Sequence, residues 1–340
     1  MAHIFKKPTK DNKGIIVLTH KEKDIGQQLY DRYKDSYFFG THYGGHHVRV
    51  DKLPYQDFYM GTPSVAPFVG EEPFRIPFSS RGFSPAYYRE RAEVHKEWDI
   101  LNISRNTNCK NLPLFLFAIR RLYDEGHKLK VLLVVPSCMS ESKTNHFLEL
   151  VEVYKKMFST EEREYFTLLR LSSELGFLGI SPRTIAYFYQ SSKVFTLLSA
   201  AEGASRVVHE ALLCGLPVVC YKGIQGGSAD YLDETNSVCF NNENDVHTSL
   251  LKAVEQHDTL NTNSELLAEE LREDKTLPKL KEYFKQLYTM HGQEFDGELI
   301  NTNRLNHRLP GHYLDVPWTG LPTADIKTPE QLEAFCRELE

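Results

Sequence analysis

Residues 202–219, EGASRVVHEALLCGLPVV, set two carboxylates eight positions apart around a turn of small residues. Ser205 has the chemistry of a helix N-cap, Gly215 that of a left-handed helix stop, and Pro217 prevents continuation. A helix over 205–214 follows from that pattern. The amides of Gly203, Ala204, Ser205 and Arg206 then open its N-terminus. Unpaired N–H groups and the helix dipole suit an anion there, and small side chains let a phosphate come close. Glu202 stands beside this N-terminus, and Glu210, two turns along, is placed to face the same crevice. Carboxylate oxygens accept hydrogen bonds from sugar hydroxyls. An anion site between two hydroxyl-binding carboxylates describes a nucleotide sugar.

Such residues need a scaffold that brings loop ends together, and the second half of the chain supplies one. Buried strands are expected at 99–104, 130–137, 165–171, 193–199, 217–221 and 237–240. Helical periodicity falls between and after them, at 112–126, 142–158, 182–191, 205–214, 244–257 and 264–290. Strands alternating with helices imply a parallel, Rossmann-like α/β sheet, whose ligands bind at the carboxyl ends of the strands. Glu202 follows one such strand, and Arg105 and Lys110 follow the first of them. The first 95 residues are short and irregular by comparison. They offer a strand at 14–19, an amphipathic helix at 24–35, a strand at 36–40, and then a Pro-, Gly- and aromatic-rich stretch suited to short strands and ordered loops. An interdomain connection is expected near 78–95. The tail, 291–340, has aromatics without periodicity and is expected to wrap over another surface.

Composition narrows the class. With 41% hydrophobic and 25% charged residues the 340-residue chain matches a globular protein of one large or two ordinary domains. Net charge is −6, which argues against a generally basic nucleic-acid binder, although the first hundred residues carry +2 and the remainder −8. No apolar run reaches the ~18 residues of a membrane span, and the N-terminus lacks a signal-peptide pattern; a cytoplasmic location is expected. Six cysteines without a C-x-x-C pair read as buried thiols. The histidines of GTHYGGHHVRV, His42, His46 and His47, read as a polar loop rather than a zinc site. No metal-binding carboxylate motif is present.

The Glu-x7-Glu pattern followed by ALLCGLPVV resembles retaining glycosyltransferases of GT-B fold, with glycosyltransferase family 4 the nearest match. NISRNTNCKNLPLFLFAI, GFLGISPRTIAYFYQSSKVFTLLSAAEG and KGIQGGSADYL extend the similarity over about residues 100–240. The resemblance implies two Rossmann-like domains facing a cleft. An acceptor-side domain is expected over 1–95, a nucleotide-sugar domain over 96–290, and a tail over 291–340. It implies that Arg105 and Lys110 bind the donor diphosphate, Glu202 the transferred sugar and Glu210 the ribose. Gly203, Ala204, Ser205, Arg206, Gly226 and Gly227 are the remaining donor contacts of that half. THKEKDIGQQLYDRY would be the first loop and helix, with Gly26 near the phosphate, and His42 a sugar or acceptor contact. No cofactor or metal is expected beyond the nucleotide-diphosphate sugar. The acceptor is expected to be a saccharide or lipid-linked saccharide. The alternatives are a modified DNA base (as in phage-type transferases), a nucleotide-sugar 2-epimerase of the same fold, and a non-catalytic sugar-binding module.

Overall fold

Ile15, Val17 and Phe38 face one apolar cluster while Ile16, Leu18 and Phe39 face another. That two-sided burial is what a parallel sheet covered on both faces requires. It organises the first of two six-stranded sheets in the computed structural model, which describes residues 2–19, 23–43, 49–62, 68–78, 80–136, 141–171, 181–203, 205–299, 323–324 and 329–339. Strands β1 (Ala2–Lys6), β2 (Gly14–Thr19), β3 (Tyr37–His42), β4 (Phe58–Met60), β5 (Phe74–Ile76) and β12 (Thr323–Ala324) lie in the order β12-β1-β2-β3-β4-β5. Strands β2 to β5 are parallel, and β1 pairs antiparallel with both β2 and β12. One face packs on α8 (Glu273–Met290) through Leu280, Phe284, Leu287 and Tyr288. The other packs on α1 (Lys23–Tyr33) and α9 (Pro329–Leu339) through Leu29, Tyr33, Cys336 and Leu339.

The second sheet contains β6 (Trp98–Ile103), β7 (Val131–Pro136), β8 (Phe166–Leu171), β9 (Ser192–Leu197), β10 (Val218–Tyr221) and β11 (Ser237–Phe240), all parallel. Their order is β8-β7-β6-β9-β10-β11. Helices α2 (Leu112–Asp124), α3 (Glu141–Met157), α4 (Pro182–Gln190), α5 (Arg206–Leu213) and α6 (Val246–Gln256) follow β6, β7, β8, β9 and β11 in turn. The chain builds outward from β6 to β8, then crosses back to place β9 on the opposite side of β6. Loops leaving β6 and β9 therefore diverge, which opens a crevice at their carboxyl ends.

The expected helix over 264–290 is two helices, α7 (Ser264–Leu271) and α8. Arg272 between them is extended (φ −89°, ψ 135°). Ser84 reaches across the break, its N–H donating to the Leu271 carbonyl (2.6 Å) and its carbonyl accepting from Glu273 (2.9 Å). Strand pairing thus outcompetes one helical residue. Residues 2–85 fold together with 270–299 and 329–339 into one compact unit, and 86–269 form a second. Helix α8 thus belongs with the first sheet, although its place in the sequence grouped it with the second half.

Candidate functional site

The crevice between β6 and β9 carries an ion pair. The strand β6 runs through buried Ser104 and exposed Arg105 into a short 3₁₀ turn, Asn108–Lys110. Asn111 then takes a left-handed conformation (φ 49°), and Pro113 sits in the first turn of α2. Asparagine tolerates that backbone better than most residues. Lys110 is thereby turned toward the loop after β9, where its Nζ donates to Glu202 Oε1; both side chains are only 13% exposed. Arg105, in the same loop as Lys110, is exposed and makes no side-chain hydrogen bond or ion pair among the described residues.

Backbone bonds fix the carboxylate. Glu202 N–H donates to the Gln225 carbonyl (2.8 Å) and Gln225 N–H to Ala200 (3.0 Å), so the loops after β9 and β10 are stitched together. Gly226 follows at φ 93°, a value that favours glycine. Ser228, fully buried, accepts from Ser205 N–H (3.3 Å) and donates to the Gly203 carbonyl (3.4 Å). This corrects the expected cap. Ser205 occupies the N-cap position with extended backbone, but its side chain makes no capping bond and its amide is already committed to Ser228. Ala204 lies outside the described residues. Gly215 ends α5 at φ 80°, as its position implies.

Glu210 sits in a second cluster rather than on an open wall of the crevice. It is 5% exposed. Arg206 donates to its Oε1 (2.9 Å) and the Tyr189 hydroxyl, from α4, to its Oε2 (3.3 Å). Burial pushes the Glu210 carboxyl above the usual range, and the Arg206 guanidinium and Tyr189 hydroxyl act against that shift. Neighbouring His209 is fully buried edge-on against the Tyr231 ring, with centroids 4.7 Å apart.

A family model described as glycosyl transferases group 1 matches residues 85–273, which span this entire site. The chain belongs to that family. Its fold is GT-B, the arrangement shared by the solved structures it resembles. One is a pneumococcal O-GlcNAc transferase, GtfA, in complex with UDP and GlcNAc (14% identity, TM-score 0.56, covering 77% of this chain and 55% of that one). A second is TarM (14%, TM-score 0.57, 80% and 54%), and a third is sucrose-phosphate synthase from Thermosynechococcus elongatus (15%, TM-score 0.58, 81% and 74%). This chain spans 55% and 54% of the first two. No curated protein sequence matches it.

In this group 1 transferase chain, the remaining expected residues fall at varied places. Gly227 stands in the stitched loop beside Gly226. His42 is the last residue of β3, half-buried at the carboxyl edge of the first sheet. Gly26 is buried in α1, and a Cβ there would collide with the Tyr55 ring, so its missing side chain has a packing cause of its own. His46 and His47 lie outside the described residues. Among the described residues no three His, Cys, Asp or Glu groups converge as a metal site would need, and no helix is long and apolar enough to cross a membrane. Sequence reasoning missed Ser228, Gln225 and the Tyr189 hydroxyl. It also missed buried Asn102 of β6, which donates to Thr196 Oγ1 of β9 (2.7 Å). An asparagine and a threonine inside two otherwise apolar strand runs are the signal that was available for the last pair.

Proposed function

We propose that the chain transfers a sugar from a nucleoside-diphosphate donor to a saccharide or lipid-linked saccharide acceptor, with retention at the anomeric carbon and without a metal. The observation that carries this reading is the Lys110–Glu202 pair at the carboxyl ends of β6 and β9, with Arg105 exposed on the loop that carries Lys110. As the bond from the anomeric carbon to the diphosphate breaks, negative charge collects on the leaving phosphate. Lys110 and Arg105 supply positive charge for it, worth most where water is excluded. A diphosphate that draws Lys110 away releases Glu202 to accept hydrogen bonds from sugar hydroxyls and to face the positive charge developing on the ring. The leaving diphosphate takes the acceptor hydroxyl proton on the same face, which gives retention with no protein nucleophile. Glu210 contacts the ribose once the donor draws it from Arg206 and Tyr189; Gly203, Gly226 and Gly227 keep the backbone close to the donor. Gly26 and His42 belong to the acceptor-side half.

Because a structurally similar protein binds UDP, uridine-diphosphate sugars are the first donors to offer. The test incubates the full chain with a panel of nucleotide sugars in chelator, with and without oligosaccharide acceptors, and follows nucleoside diphosphate release and product anomers by NMR. Acceptor-dependent release with the donor's anomeric configuration in the product is expected. Inversion, an absolute divalent-metal requirement, or epimerised donor without transfer would overturn the reading.

A further inference from the structure

Cys220 and Cys239 face each other in direct register across β10 and β11, with their sulfurs 3.7 Å apart. Neither belongs to the site above. Val219, Val238 and Phe240, their alternates along the strands, turn into the cluster that includes α2 and α6. The cysteines therefore lie on the opposite face of the sheet. There β11 is the edge strand, which leaves Cys239 exposed while Cys220 is 1% exposed. Facing residues on neighbouring strands stand about 4.8 Å apart, inside the ~4.4–6.8 Å backbone separation that disulfides span. Closing a bond needs side-chain rotation rather than movement of a strand.

The surroundings make the two thiols unequal. The Cys220 thiol hydrogen-bonds to the Cys239 sulfur, the Ser237 hydroxyl lies 3.9 Å from it, and Lys222 adds positive charge. These hold the Cys239 thiol below the ordinary cysteine range, while the same hydrogen bond and burial push Cys220 up. An exposed, more acidic thiol beside a sheltered one is the arrangement of an attacking and a resolving cysteine.

We propose that Cys239 and Cys220 form a peroxide-reactive dithiol that closes reversibly into a cross-strand disulfide. The Cys239 thiolate attacks one oxygen of hydrogen peroxide and becomes a sulfenic acid, and hydroxide leaves and takes up a proton as water. Cys220 sulfur then attacks the sulfenic sulfur and forms the S–S bond. The expelled hydroxide leaves as water with the Cys220 proton. Two thiols lose two electrons, one peroxide gains them, and two waters form. The inference does not depend on the transferase reading.

The test treats the reduced full chain with one equivalent of hydrogen peroxide, blocks free thiols with iodoacetamide, and maps the digest by mass spectrometry. Loss of two of the six thiols, a linked pair of peptides carrying Cys220 and Cys239, and full recovery with dithiothreitol are expected. Cys239→Ser should slow thiol loss about tenfold or more, because the attacking sulfur is gone. Cys220→Ser should stop at a sulfenic acid on Cys239 that dimedone traps. Cys109, also exposed, is an internal competitor. Oxidation of Cys109 with Cys220 and Cys239 recovered free, or oxidation of Cys239 without a bridge in the native chain, overturns the proposal. The native-chain map decides even if a serine variant fails to fold.

Discussion

Lys110 and Glu202 neutralise each other at the head of two diverging loops, so a diphosphate donor must compete for the lysine. A doubly charged leaving group wins that competition over a single carboxylate at equal distance. Lys110→Met should therefore weaken nucleoside diphosphate binding by about 10- to 100-fold, the ~1.5–3 kcal/mol of a charge-assisted hydrogen bond. Glu202→Gln should leave that affinity near wild type or tighten it, and lower kcat, because the sugar contact matters most in the transition state. Calorimetry and steady-state kinetics separate the two, and weaker diphosphate binding by Glu202→Gln would sink the assignment. Glu210→Gln leaves Arg206 without its counter-charge in a buried cluster. It should cost about 1–3 kcal/mol in urea unfolding and raise KM for the donor; a variant unchanged in both would remove Glu210 from the site. Residue types and order on the loops after β6 and β9 were legible in the sequence, because loop side chains after a strand project at a known edge. The burial of Glu210 was not, since it depends on Tyr189 arriving from a separate helix.

At the scale of elements, each strand of the second sheet falls within two residues of its expected position, because these strands are short, mostly apolar runs set between helical periods. The stop of α5 was equally plain. Gly215 is left-handed, and an added Cβ would stand 2.8 Å from Glu90 Cγ and Cδ. Gly215→Ala should cost about 1–2 kcal/mol from the backbone alone. Glu90→Ala in the same background should recover only the contact part, so complete rescue would show that φ carries no cost here. The break at Arg272 was hidden, because the helical period continues through it and only pairing with Ser84 interrupts it. Strand β1 was missed for a related reason: five residues, two of them at the ends polar or small, carry little period. Just past the break, burial and the neighbouring Asp274 push the Glu273 carboxyl up to about 7. Its folded value exceeds the unfolded one, so the protonated form is favoured in the fold, and stability falls as pH rises from about 4.5 toward 7. Glu273→Gln should flatten the melting temperature across that window and raise it at pH 8. An unchanged slope in thermal melts would show that Glu273 titrates normally.

The chain divides into two compact units, and the first is assembled from distant stretches of chain. Its sheet is built by strands from residues 2–76 with Thr323–Ala324 added at the edge, covered on one face by α8 and on the other by α1 and α9. Local pattern reading cannot show this. A helix placed after five β–α repeats has the same amphipathic period whichever sheet it covers. The last helix also offers few apolar residues to announce itself. Its contribution is nonetheless concrete: Cys336 and Leu339 are each 3% exposed within the cluster of Ile4, Ile16, Leu18 and Tyr37. The Tyr37 hydroxyl also donates to the Leu339 carbonyl (2.8 Å). Leu339→Ala deletes buried methyl groups and should cost about 2–4 kcal/mol. If each core is its own cooperative unit, that loss belongs to the first sheet alone. Hydrogen exchange read by mass spectrometry should then show faster exchange across Ala2–Lys6, Gly14–Thr19 and Tyr37–His42, with Trp98–Ile103 and Val131–Pro136 unchanged. Faster exchange spread equally over both sheets would mean that the two cores unfold as one. The mutation could not then be assigned to the first unit.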